Sequence, residues 1–176
     1  METSYVPDLT IVQPGEGRVG GLAPGIGVAF KLWGKDTGES LSVVEHPFEV
    51  GALVPPHLHT LEDEYSIITE GEIGFRSGDR EVVLGAGGYI TKPRGEMHAM
   101  WNAGKVPARM IEIISPAGFE GFFREMSDYT GDCGQRGEAP SWPVIEEMAH
   151  RYGLQFGAPD WLPDVVQRYG LTPPPS

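Results

Sequence analysis

A chain of 176 residues with a hydrophobic fraction of 40% has room for one core, and its net charge of −12 gives a surface that repels nucleic acids and anionic membranes. No apolar run approaches the ~18 residues of a membrane span, and the one cysteine, Cys133, excludes an internal disulfide. The opening "METSYVPDLT" lacks the basic start and apolar stretch of a signal peptide, so the expected location is cytoplasmic. Cys133 sits in "GDCGQRGE", read as a polar loop with no base nearby, and is taken as incidental.

From residue 9 to residue 115 short apolar or alternating runs are broken by glycine and proline. In chain order they are "LTIV", "IGVAFKLW", "SLSVVEHPFEV", "EYSIIT", "EIGFRS", "REVVL", "GYITK", "MHAMWN" and "RMIEIIS". Turn signals such as "KDTG", "SGD", "GAGG" and "NAGKVP" fall between them. Regular strand-turn spacing of this kind predicts an all-β sandwich or barrel. After Ser115 the period changes. "PAGFEGFFREMSDY" spaces Phe119, Phe122, Phe123 and Met126 as on a helix. "SWPVIEEMAHRYG" and "PDWLPDVVQRYG" each carry a capping residue, an early proline and a terminal glycine, which predicts two more helices. The division is therefore a β-domain over 1–115 and a helical extension over 116–176. The extension is expected to pack on the β-domain or cover an opening in it, and "TPPPS" reads as a frayed end.

Chemistry concentrates in "HLHTLEDE", residues 57–64. On a strand, residues two apart share a face, so His57 and His59 reach one point. Glu64 is an odd number of residues from both and joins them only if the chain bends between. Pro55 and Pro56 lack N–H donors and mark a strand start or edge. Glu62 and Asp63 read as a solvated turn or as partners of arginines. His46, before a proline, and His150, in a last helical turn, are left out of the site. Three imidazoles and one carboxylate suit Fe, Mn, Co, Ni or Zn. Alternation from His98 puts Met100 and Asn102 on the inward face, and counting from Glu64 adds Ser66 and Ile68. Tyr65, Phe75 and Met110 complete the expected substrate-contact set, with Phe48 and Trp101 as further neighbours. "FEGFF" and Trp161 are placed at one mouth of the barrel.

The spacing of these residues resembles two motifs of the cupin superfamily. The first runs Gly51, His57, His59, Glu64, Gly71; the second runs Gly87, Pro93, Gly95, His98, Asn102, with fifteen residues between Gly71 and Gly87. The resemblance implies a double-stranded β-helix, or jelly-roll, barrel. It implies a divalent transition metal held by His57, His59, Glu64 and His98, with Glu64 also the catalytic base. "PPHLHTLEDEYSIITEGEIGF", "PRGEMHAMWN" and "SPAGFEGFF" are most similar to single-domain cupins related to quercetin dioxygenases. That likeness implies a small enolic or phenolic substrate, flavonol-like, attacked by O2. Two other readings stay open. One is a non-redox metal-dependent isomerase, cyclase or lyase of secondary metabolism; the other is a small-molecule binder without turnover. A homodimer is the expected assembly, with neither nucleic acid nor membrane as partner.

Overall fold

The computed structural model describes residues 8–173, so the last three residues of "TPPPS" lie outside it. Ten strands precede the helices: β1 Val19–Ala23, β2 Ile26–Leu32, β3 Ser42–Phe48, β4 Leu53–His59, β5 Asp63–Glu70, β6 Glu72–Ser77, β7 Arg80–Gly85, β8 Tyr89–Lys92, β9 His98–Asn102 and β10 Ala108–Ser115. Then come α1 Glu120–Arg136, α2 Trp142–Arg151, a short β11 Leu154–Phe156 and α3 Leu162–Tyr169. The strands form two antiparallel sheets, ordered β1-β2-β3-β10-β5-β8 and β11-β4-β9-β6-β7. The jelly-roll is thus two facing sheets. Turns, not ladder hydrogen bonds, carry the chain from one sheet to the other, so the sheets do not close into a barrel.

Most strands fall where alternation puts them, because one face of each is buried. β10 shows this best: Ala108, Met110, Glu112 and Ile114 are buried and the residues between them are less so. Ala108, Met110 and Ile114 join Phe30, Val44, Phe48, Ile68 and Ile73 in the main core between the sheets. "LTIV" is the exception. Residues 9–12 form no strand, and Leu9 and Ile11 are exposed. β-propensity there has no partner strand to pair with. Conversely β4 contains both prolines, which occupy a register shift against β9 between Val54 and His57. A bulge tolerates missing N–H donors.

The helical extension differs from expectation in three ways. α1 runs to Arg136, so Cys133 is a buried helical residue and not part of a loop. Leu154–Phe156 adds β11 to the edge of β4, pairing Leu154 with His59 and Phe156 with His57. α3 covers the outer face of the five-stranded sheet, where Trp101, Leu53, Val165 and Leu171 make a separate small core. Trp161 belongs to that outer core, with Arg76 5.0 Å from its ring centroid, and lies away from any mouth of the β-domain. In this layer Gly74 leaves room for the Trp101 indole: a Cβ there would stand 2.3 Å from a ring carbon. Gly74→Ala is therefore expected to destabilise the fold by about 1–3 kcal/mol through overpacking. Urea denaturation measures this, and an unchanged midpoint would contradict it.

Candidate metal centre

The two sheets supply the four side chains together. β4 and β9 are neighbours in one sheet, and His57 stands opposite His98 across their ladder. Glu64 comes from β5 in the facing sheet. Residues 60–62 carry the chain across, which removes the odd-number obstacle that a single strand would impose. One donor atom from each of His57, His59, Glu64 and His98 lies within 4.8 Å of the others, and all four residues are buried. Metal bonds of about 2.0–2.2 Å put paired donors at most about 4.4 Å apart. Small side-chain adjustments bring this set onto one ion.

The hydrogen bonds show which atoms are left for a metal. His57 Nδ1 is 2.7 Å from the Pro55 carbonyl, and His98 Nδ1 is 2.9 Å from the Glu96 carbonyl. His59 Nδ1 bonds the Glu62 carboxylate. Carbonyl and carboxylate oxygens only accept, so each Nδ1 carries a proton and each Nε2 is the ring atom left to face a metal. Nε2 of His59 and of His98 are buried and make no well-aligned hydrogen bond among the described residues, with Glu64 Oε2 3.2 and 3.7 Å away as their nearest charged neighbour. Orphaned buried nitrogens are costly, and a cation satisfies them. The donor set fits a divalent transition metal on this ground.

Charge in the pocket is arranged in a row. Lys92 Nζ is 2.9 Å from Glu64 Oε2 and 2.7 Å from Glu112 Oε2, and all three residues are buried. Ser66 donates to the other Glu112 oxygen at 3.0 Å. Burial alone would raise the Glu64 pKa, but His59 and Lys92 outweigh it and hold Glu64 ionised, well below the ordinary range. Burial raises Glu112 to about 7, against the pull of Lys92. Burial lowers His57 and His98, the neighbouring rings adding to the effect at His57. Burial would lower His59 too, but Glu64 and Glu62 raise it to about 9. The carboxylates that draw a proton to His59 draw a metal cation by the same field.

Glu62 and Asp63, expected to behave alike, divide. Glu62 is buried against His59. It is neither solvated nor bound to an arginine, because the crossing between the sheets turns it inward. Asp63 does pair with an arginine. Arg94 Nε and Nη2 reach its two oxygens at 3.1 and 2.9 Å, and Arg94 Nη1 donates to the Leu61 carbonyl at 2.8 Å. This fork ties the crossing that carries Glu64 to the turn before His98.

Above the four ligands opens a cavity of about 930 Å³, within the range of pockets that enclose a drug-sized organic molecule. His57, His59 and Glu64 form part of its wall; Phe119, Phe122 and Phe123 at the start of α1 form another, with Phe119 4.5 Å from the His59 ring. Of the expected substrate contacts, Met100 lines this cavity. Phe75 lines a smaller one, about 270 Å³, whose wall also includes Lys92 and His98. Ile68 and Met110 lie in the main core. Asn102 clamps a turn, donating to the Phe48 and Val106 carbonyls at 3.1 and 2.9 Å. Tyr65 is 40% exposed. It alternates with the inward Glu64 and Ser66, so it faces away from the cavity. His46, set aside in the sequence, is a cavity residue. Lys92 and Glu112 gave no sequence signal beyond their strand positions.

A jelly-roll with three histidines and a glutamate converging from both sheets makes a candidate metal-binding domain. Residues 45–114 match the family model described as the cupin domain. A germin-like protein, subfamily T member 2, of Arabidopsis thaliana is 39% identical over 79 residues, 42% of this chain and 35% of that protein. Tetracenomycin polyketide synthase protein TcmJ of Streptomyces glaucescens is 36% identical over 66 residues, 38% of this chain and 44% of TcmJ. The chain thus matches less than half the length of these curated relatives. Among solved structures, KdgF from Halomonas sp. superposes with a TM-score of 0.58 at 19% identity, over 65% of this chain and 99% of that one. The polyketide cyclase RemF from Streptomyces resistomycificus gives 0.54 at 19% identity, over 61% and 80%. At such identities the likeness is one of fold. Among the described residues no helix is long and apolar enough to cross a membrane.

Proposed function

We propose that this protein is a metal-dependent enzyme that moves a proton on a polycyclic phenolic or enolic compound, in the manner of a cyclase or isomerase. The observation that carries the reading is the large, mostly apolar cavity with ionised Glu64 in its wall beside three metal-competent histidines. A flat aromatic ligand suits the phenylalanine wall from α1. The sequence likeness to a tetracenomycin polyketide synthase protein supports a polyketide-type substrate. His57, His59, His98 and Glu64 would hold the metal, which supplies Lewis acidity toward a substrate oxygen. Glu64 takes the proton of that hydroxyl. Lys92, paired to the same carboxylate, keeps it ionised and ready to accept. The apolar walls keep bulk water away from the resulting anion.

Dioxygenation of the same substrate class is the second reading. The smaller cavity favours it, because it reaches His98 and Lys92 from another side and offers room for a diatomic ligand. Metal-reconstituted protein incubated with polycyclic phenols, with and without O2, separates the two by mass spectrometry. A product isomeric with its substrate, or lighter by one water, formed without O2 supports the first reading. A product heavier by two oxygen atoms, formed only with O2, supports the second. Glu64→Gln is expected to lower turnover by about 10²–10⁴-fold. Binding without turnover under any condition would defeat both.

A further inference from the structure

His46 offers a second polar anchor in the cavity, away from the metal ligands. It lies on β3, is 3% exposed and lines the cavity wall. Its Nδ1 is 2.8 Å from the Gly27 carbonyl, which can only accept, so Nδ1 carries the hydrogen and Nε2 the lone pair. Phe123 and Phe48 pack edge-on against the ring, with centroids at 4.9 and 6.5 Å, and fix its plane. No described residue hydrogen-bonds Nε2. Burial also pulls the ring's pKa down to about 4, helped by Lys92 and opposed by the Gly27 bond and the Glu64 carboxylate, so it stays neutral near pH 7. A neutral, oriented acceptor in an apolar wall discriminates strongly, because leaving it unpaired costs more than the bond itself gains.

We propose that His46 Nε2 accepts a hydrogen bond from a substrate hydroxyl on a ring distant from the metal, and so sets which polycyclic compound is oriented for reaction. The proposal rests on the polycyclic-phenol reading above. Register supports the distance. His46 stands opposite Met110, and Glu64 opposite Ile114, so the two inward side chains are two strands and four residues of β10 apart on one sheet. At the usual spacing and rise of a sheet, their backbones are about 17 Å apart. Their side chains converge on one cavity, and a ligand of three or four fused rings spans the gap.

The test uses zinc-loaded protein and three probes: 1-hydroxyanthraquinone, its 6-hydroxy derivative and its 6-methoxy derivative. Binding is read by ligand fluorescence. Wild type is expected to bind the 6-hydroxy compound about 3–10-fold more tightly than the 6-methoxy compound, which cannot donate. His46→Phe and His46→Leu should lose that preference while retaining affinity for 1-hydroxyanthraquinone. His46→Gln, whose amide oxygen accepts, should restore part of it. A wild type without preference, or a preference that survives in either folded apolar variant, overturns the role of His46 alone. Failure of wild type to bind any of the three overturns the polycyclic-phenol reading and the inference with it.

Discussion

Lys92→Met is expected to destabilise the metal-free protein by about 3–5 kcal/mol. Lys92 is one cation between two buried carboxylates, Glu64 and Glu112. The row is buried, so removal of the ammonium leaves Glu112 without a counter-charge and Glu64 with His59 alone. Glu112, already raised to about 7, would take a proton, and Glu64 would be driven the same way. Methionine fills similar volume, which isolates charge from packing. Two controls sharpen the result. Lys92→Met with Glu112→Leu removes a charge of each sign and should recover much of the loss, since apolar replacement of a buried pair is often neutral. Zinc should also reduce the loss, because a bound cation compensates Glu64. Urea denaturation with and without metal reads all of these. A single variant within about 0.5 kcal/mol of wild type would show that the row is not ionised as described.

Glu62→Ala is expected to weaken metal binding by about 10–100-fold with little change in fold. Glu62 touches no metal-facing atom. It bonds His59 Nδ1, which fixes the ring's orientation and turns its Nε2 toward Glu64. Without that acceptor the imidazole is free to rotate or change tautomer. Glu62→Gln keeps an acceptor but removes the charge, so its loss should be smaller. Competition titration against a chromogenic chelator measures both. Equal affinity in wild type and Glu62→Ala would remove Glu62 from the site.

Glu62 also marks where the sequence stops being readable. The four ligands are legible because their spacing follows strand alternation and one bend, as do the strands of β10 and β9. Glu62 is not, because its direction depends on the crossing between sheets, which "TLEDE" does not encode in any period. Lys92 and Glu112 lie forty-eight residues or less from Glu64 in the chain, but only the pairing of β8, β5 and β10 sets them side by side. His46 looked like a strand-end residue because a proline follows it, yet β3 runs on to Phe48 and turns the ring into the cavity. "LTIV" misled in the opposite sense: local propensity was present and a partner was not. The helices were legible from capping and period. Their placement was not, since nothing in "LQF" announces that it pairs with the strand of His57 and His59.

The most direct measurement is anomalous scattering at the zinc edge from crystals of zinc-loaded protein. One strong peak is expected, about 2.0–2.1 Å from Nε2 of His57, His59 and His98 and about 2.0–2.2 Å from a Glu64 oxygen. A peak held by other donors, or three rings whose Nε2 atoms point away from any common centre, would contradict the convergence of these four side chains on one ion.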